Sequence, residues 1–488
     1  MVSALVLLVL FLVIGIYFAN NPMKHGSWFM MRRFINWFPL GMTYAFLYMG
    51  RYNLSVAKNA LGAAMTKEDF GLIFGIGTAV YGFSFLITGP IVDRIGGRKG
   101  IMIASAGSSF ANILMGIATY LHLTGRLTTN VCWTYVALYG LNMYFQSYGA
   151  VSIIKVKAYW FHVRERGVFG AIFGTLISFG VYFAFDWGQA VVQATQITAD
   201  ATNLNFAQKI LRTLFVTEGY STVDATWSVF LVPAVLLIGW TLIDGLIIKD
   251  SPKDAGFSDL DTADASSDEP EQDLSSYVLL KKVFTSPVML TIALVDCCSG
   301  IVRNGIMQWY FVFAREVAQP GAEFFLTNWG LLLCFAGIAG SFAAGGISDR
   351  LFQSRRGPPA LIFFGCMFVL TVLMAVFLFS SPFIVGLCAV LMTFFVIGVH
   401  GMMSGTAAAD FGGKKATATC SGIVDGFVYL GSGLQSISLG YLTGMSWHYW
   451  PLFLMPFTLL GMYFGWKLWY SLPAATQRYI REVEGSKA

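Results

Sequence analysis

The chain has 488 residues, 56% of them apolar and only 12% charged, with a formal net charge of +5 and a mean hydropathy of +0.66. Soluble domains carry about a quarter charged residues, so this chain lacks the charge to cover a surface that faces water. The composition excludes a cytosolic enzyme, a disordered protein and a nucleic-acid binder.

A helix that crosses a bilayer takes about 20 apolar residues, and such stretches recur from end to end. The first predicted span is 3–19, set apart from the rest. Six more follow at 36–62, 69–92, 100–122, 131–158, 167–194 and 226–248. A second six follow at 286–314, 326–348, 358–380, 383–408, 417–444 and 449–472. Membrane-barrel strands would alternate apolar and polar residues, and these runs do not. The 52 glycines spread through the spans suit close helix packing in lipid.

The segment 3–19 has the apolar run of a signal peptide, but no basic residue precedes it and no Ala-x-Ala site follows. Positive charge comes after it, at Lys24, Arg32 and Arg33. A retained anchor with its N-terminus outside is the expectation.

Lysine and arginine test this map. Of 31 such residues, 23 fall in the segments assigned to the cytoplasm and five in the opposite ones. This bias puts the C-terminus of a multi-pass membrane protein in the cytoplasm. The expected organisation is an anchor and connector at 1–33, a six-helix half at 34–248, a cytoplasmic linker at 249–285, a second half at 286–472 and a cytoplasmic tail at 473–488. The linker holds nine acidic residues between 250 and 273 and reads as a flexible tether. The long outer loop 196–225 carries Phe206, Ile210, Leu214 and Phe215 at helical spacing, which suggests a short helix on the membrane surface.

The seven cysteines form no CxxC pair and no Cys/His cluster, so neither a disulfide framework nor a metal site is expected. No P-loop appears, which argues against ATP drive. No cofactor is implied.

The two halves repeat each other. GPIVDR (Gly89–Arg94) recurs as GGISDR (Gly345–Arg350), with Asp93 and Asp349 256 residues apart. The intramembrane arginines Arg51 and Arg303 open their respective halves at an offset of 252. Parallel halves with a site between them near the midplane describe many secondary transporters. In each turn the aspartate can accept from backbone N–H groups and from arginine. Asp93, Arg94, Asp349 and Arg350 are therefore expected to form a conformational latch.

These features resemble the major facilitator superfamily, an all-α membrane fold of two six-helix bundles related by a pseudo-twofold. Here one extra N-terminal transmembrane helix is added. Within the superfamily, RYNLSVAK (Arg51–Lys58) is similar to the first-helix motif of the organophosphate:inorganic phosphate antiporters, which include the glycerol-phosphate and hexose-phosphate transporters. VRNGIMQWY (Val302–Tyr310) resembles their seventh-helix motif. YGFS (Tyr81–Ser84), the pattern Asn142, Phe145, Gln146 and Gly149, RERG (Arg164–Gly167), FAGIAG (Phe335–Gly340) and KKATATCSG (Lys414–Gly422) match in order across 34–472.

The resemblance implies that Arg51 and Arg303 bind the phosphoryl group. Physical chemistry reaches the same residues. An arginine in mid-membrane costs about 3 kcal/mol or more, and its planar fork of donors suits phosphate oxygens. One per half gives an anion something to bridge. Each arginine could instead be satisfied by a structural carboxylate, and Asp296, seven residues before Arg303 on one helix face, is the nearest partner. Tyr44 and Tyr48 share the face of Arg51, while Tyr81, Gln146, Gln308 and Trp309 match positions of the family motifs. Asp186, Asp296, Asp425 and His400 are candidate coupling or charge partners.

The chain departs from the glycerol-phosphate type at Phe85, where a lysine is usual, and at Ile177, where a histidine is usual. Tyr52, Gln308 and Cys334 also replace charged residues. The two-arginine core is kept while the surrounding charges are stripped, which argues against glycerol 3-phosphate itself. The expected function is secondary transport of a phosphorylated organic solute in exchange for inorganic phosphate, by rocker-switch alternating access, with no bond made or broken. A monomer in the lipid bilayer is expected. Two alternatives stay open: a membrane sensor of an organophosphate with the same fold, and a proton-coupled carrier of another organic anion.

Overall fold

The computed structural model describes residues 2–162, 165–197, 223–258, 284–317, 320–352, 355–407 and 417–471, together with 209, 260 and 281. The surface helix expected in 196–225, most of the acidic linker and the tail after 471 lie outside the described residues.

Helices account for nearly all of it. Helix α1 covers Val2–Ala19. The first half contains α2 (Ser27–Leu61), α3 (Lys67–Ile95), α4 (Gly97–Leu123), α5 (Val131–Trp160), α6 (Arg166–Tyr182), a π turn at Phe183–Trp187, α7 (Gly188–Thr195) and α8 (Ser228–Ile247). The second half contains α9 (Pro287–Met307), α10 (Trp309–Val317), α11 (Glu323–Thr327), α12 (Trp329–Leu351), α13 (Gly357–Phe377), α14 (Pro382–His400), a π turn at Gly401–Ala407, α15 (Thr417–Met445) and α16 (Tyr449–Lys467). A two-residue antiparallel pair, Gln196–Ile197 with Val223–Asp224, ties the ends of the long loop.

Every predicted span holds a helix. Among the described residues, seven helices are long and apolar enough to cross a bilayer on length and composition alone. Others, such as α2 and α5, fall short on composition because they carry the buried polar residues of the site, including Arg51, Asn53, Asn142 and Gln146. Helix starts follow local chemistry. Thr66 and Asp69 form a capping box at α3. Ser286 and Ser381 cap α9 and α14, each with a proline at the first position.

Helix α2 starts at Ser27, nine residues ahead of the predicted span, because its first turns are anchored by polar contacts. Arg33 is 1% exposed and holds Glu165 with two bonds of 2.9 Å. The Tyr17 hydroxyl of α1 accepts from Arg33 Nε at 3.0 Å and donates to the Met30 carbonyl at 2.9 Å. Burial pushes the Glu165 carboxyl up, but the bond and charge of Arg33 outweigh it, so it sits below its ordinary value. Leu7, Leu8, Phe11 and Leu12 form the exposed face of α1.

The halves meet chiefly where α3 packs on α15 and α6 packs on α12. Small residues set the first contact. A Cβ at Gly71 would fall 2.8 Å from the Gly440 Cα, one at Gly75 would fall 2.9 Å from the Gly433 carbonyl, and one at Gly82 would fall 3.0 Å from the Gly426 carbonyl. The paired numbers run in opposite directions, so the two helices cross antiparallel along a seam of glycines.

The GPIVDR turn departs from expectation. Asp93 pairs with Lys155 of the same half at 2.9 Å, not with an arginine. Asp250, at the start of the linker, accepts from the Arg98 backbone N–H at 2.8 Å and so caps the first turn of α4. Arg94 is exposed. The side chains of Asp349 and Arg350 lie outside the described residues. In the second half, Arg356 reaches Ser348 Oγ at 2.8 Å.

Candidate functional site

Arg51 is fully buried in the middle of α2. Its Nε donates to Gln146 Oε1 at 2.8 Å, and its Nη1 donates to the hydroxyl of Tyr429 on α15, also at 2.8 Å. The guanidinium carbon lies 4.6 Å from the Tyr48 ring centroid, 4.5 Å from that of Tyr81 and 5.6 Å from that of Tyr429. Such contacts contribute on the order of 2 kcal/mol each when desolvated.

A hydrogen-bonded set behind Arg51 fixes its direction. Gln146 Nε2 donates to Ser108 Oγ and Asn142 Oδ1, each at 3.2 Å. Asn142 Nδ2 donates to the Gly50 carbonyl at 2.9 Å, and the Tyr139 hydroxyl donates to the Arg51 carbonyl at 3.0 Å.

Arg303 is 3% exposed on α9. Its guanidinium lies 5.6 Å from the same Tyr429 ring, so the two arginines address one residue from opposite halves. Arg51 Nη2, Arg303 Nε and Arg303 Nη2 are buried without a hydrogen-bond partner. Among the described residues, no carboxylate forms an ion pair with either arginine. Asp296 instead takes His400, with Oδ1 3.1 Å from the His400 Nδ1. The alternative in which Asp296 satisfies Arg303 is not what the structure shows: the His400 ring stands within bonding reach of Asp296, while Arg303 lies two turns further along α9. Two buried guanidiniums with free donors have the chemistry to accept a dianion.

The other predicted residues divide. Tyr44 packs on Tyr48, with ring centroids 5.3 Å apart. Tyr81 lies 4.3 Å from Tyr429, and Phe85 lies 4.8 Å from Tyr81 and 6.4 Å from Tyr429. These rings pack around the two arginines. Gln308 and Trp309 do not. Gln308 Oε1 accepts from Ser55 Oγ across the halves at 2.6 Å, and Trp309 packs against Phe70 and Trp447. Both belong to the seam on the Lys67 side of the arginines.

That seam carries further bonds between the halves. Asn59 Nδ2 donates to the Phe311 carbonyl at 3.1 Å, and Lys67 pairs with Glu316 at 2.9 Å. Asp186, on the π turn after α6, accepts from the backbone N–H groups of Gly330 (2.8 Å) and Leu331 (3.1 Å). It thus caps the first turn of α12 from the other half. Asp425 and His400 lie together with Asp296 on the opposite side of Arg303.

Sequence reasoning missed Tyr429. A polar stripe at Asp425, Tyr429, Ser432 and Ser436 along an otherwise apolar helix is the signal that could have found it.

The family model of the Major Facilitator Superfamily matches residues 40–436. The chain belongs to this superfamily. It is 25% identical over 409 residues to the glycerol-3-phosphate transporter of Bacillus subtilis, covering 82% of this chain and 83% of that one. It is also 25% identical over 416 residues to the membrane sensor protein UhpC of Salmonella typhimurium, at 83% and 84% coverage. A probable hexose phosphate transport protein of Chlamydia trachomatis is 23% identical over 449 residues, at 87% and 88%. Among solved structures, a bacterial homolog of the human lysosomal transporter Spinster, inward-facing and unoccupied, superposes with a TM-score of 0.67 at 14% identity. It covers 91% of this chain and 98% of that one. As a superfamily member, this chain is a multi-pass membrane protein of two six-helix bundles plus α1.

Proposed function

We propose that this protein is a secondary transporter of a phosphorylated organic solute, of the sugar-phosphate or glycerol-phosphate class, which it exchanges for inorganic phosphate. The observation that carries this reading is the pair of buried arginines, one per half, with unpartnered donors on a shared tyrosine. An anion bridging them supplies the negative charge that the protein itself withholds. Without it, two like charges oppose closure of the halves, so unloaded cycling is disfavoured and exchange is favoured.

The relatives named as glycerol-3-phosphate and hexose phosphate transporters support the substrate class. The arginine and lysine bias assigns the Arg94 end to the cytoplasm and the Lys67 end to the outside of an inner membrane. The cross-half bonds at the Lys67 end then hold the outer side shut, and a rocker-switch motion must break them. The reaction transfers a solute and makes no bond, so the protein is not an enzyme. It works as a monomer, since each chain holds both arginines.

The full chain in proteoliposomes tests this. Labelled glucose 6-phosphate or glycerol 3-phosphate enters only when phosphate is present inside. Uptake indifferent to internal phosphate rejects exchange. Saturable binding without uptake identifies a sensor, the reading that the similarity to UhpC favours.

A further inference from the structure

Three titratable side chains meet inside the second half, away from the arginines. Asp296 on α9 is fully buried. His400 ends α14, where the helix loosens into the π turn at Gly401–Ala407. Asp425 lies half-buried on α15. One ligating atom from each lies within 4.8 Å of the other two. The His400 Nδ1 and Asp296 Oδ1 are 3.1 Å apart, and Ser299 Oγ donates to the same oxygen at 2.7 Å. Asp296 Oδ2 and Asp425 Oδ1 are buried without any hydrogen-bond partner.

Two carboxylates and a histidine this close in a low-dielectric bundle can share a bound proton or hold a cation between them. Histidine is a poor ligand for sodium, potassium or magnesium. It is the side chain best suited to carry a proton near neutral pH. A π turn at the histidine is also a common mark of a functional site.

The cluster is wired to the anion site along two helices. Asp296 precedes Arg303 by seven residues on α9, about 10 Å along the axis, and Asp425 precedes Tyr429 by four on α15, about 6 Å. The charges acting on Asp425 are those of His400, Asp296 and Arg303, with Ser404 on the π turn bonded to it. Cys297 flanks Asp296 on α9. Helix α16 meets α9 through Trp450 and Leu454, and α12 and α13 meet α14 through Gly340, Ala344 and Phe363. None of these titrates. From α3, Tyr81 and Phe85 reach the region through Tyr429.

We propose that Asp296, His400 and Asp425 form a proton-binding site that couples phosphate or organophosphate movement to proton movement in the same direction. A proton arriving there removes negative charge near Arg303 and leaves that guanidinium freer for the anion. A bound dianion in turn favours the proton. This proposal rests on the transporter reading above.

The experiment uses the full chain in proteoliposomes with inorganic phosphate as the probe. Because each outward phosphate carries a proton back, the readout is the rate of labelled-phosphate exchange at equal pH on both faces, which should fall about tenfold per pH unit above the range in which the site holds its proton. In Asp296→Asn and Asp425→Asn this pH dependence flattens, and Asp425→Glu restores part of it. A wild-type pH profile in both asparagine variants overturns the proposal. Asp425→Asn decides the matter where Asp296→Asn fails to fold, because its residue is only half-buried.

If wild type moves no phosphate at all, the transporter reading fails, and the site is judged by thermal unfolding of the detergent-solubilised chain instead. A pH-dependent midpoint near neutrality that flattens in the variants supports the site, whereas the same profile in all proteins overturns it. Stabilisation by Mn²⁺ or Zn²⁺ that is lost in the variants makes this a metal site and also overturns the proton assignment.

Discussion

Arg51 and Tyr429 stand on opposite halves of the molecule, yet the Arg51 Nη1 donates to the Tyr429 hydroxyl at 2.8 Å. The same ring lies 5.6 Å from Arg303. Tyr429 thus occupies donors that a phosphate would take. Its removal has a defined sign. Tyr429→Phe keeps the ring and deletes the competing acceptor. A hydrogen bond to a charged group contributes about 1.5 kcal/mol, so phosphate should protect the variant against thermal unfolding at about tenfold lower concentration. An unchanged or higher concentration rejects this competition.

The role proposed for the arginines leaves them no substitute. Arg51→Lys or Arg303→Lys keeps the charge and loses the fork. Exchange should fall by at least about a hundredfold, on the order of 3 kcal/mol for charge-assisted bonds lost. The thermal midpoint and gel-filtration profile should stay near wild type. Exchange at the wild-type rate in either variant removes that arginine from the site.

Phe85 lies beside the arginine cluster, with its ring 6.4 Å from that of Tyr429. Phe85→Lys would add a third cation beside the pair. Competition assays against labelled phosphate should then show tighter binding of small organophosphates, glycerol 3-phosphate in particular, relative to hexose phosphates. No change in that ranking places Phe85 outside the specificity determinants.

Gly71 has no room for a side chain: a Cβ there would lie 2.5 Å from the Ser436 carbonyl oxygen. Gly71→Val should wedge α3 from α15 at the Lys67 end. A cysteine introduced at Ser55 should then react faster with a membrane-impermeant thiol reagent from that side. Equal labelling rates with and without Gly71→Val count against a closed Lys67 end.

The Glu165–Arg33 pair predicts acid sensitivity. The Glu165 carboxyl is held below its ordinary value in the folded protein. Its contribution is therefore complete above the ordinary carboxylate range and is lost as pH falls through the lowered value. Glu165→Gln leaves Arg33 buried without its counter-charge and should destabilise the protein at pH 7 by about 3 kcal/mol. The variant should also lose part of the wild-type decline in melting temperature on acidification. Parallel acid profiles exclude Glu165 as a source of that decline.

Much of this molecule was legible in its amino acids. The spans were readable because lipid demands long apolar helices, and the two arginines because charge in a bilayer needs a reason. The partner of Asp296 was not readable. His400 lies 104 residues away on another helix, and no periodicity within one element reports which helix packs on which. Gln308 and Trp309 fall at the break between α9 and α10, five and six residues beyond Arg303, and there they turn toward the seam, a change of direction that the motif spacing does not report. The π turns at Phe183–Trp187 and Gly401–Ala407 carry no composition of their own, although Asp186 lies in the first and His400 immediately precedes the second.

The hydroxyl of Tyr17 ties the extra helix to Arg33, and so to the first bundle. A fluorophore or spin label carried by that helix would ride with one bundle and report its tilt against the other. The appendage thus offers an experimental handle on the swing of a single working cycle.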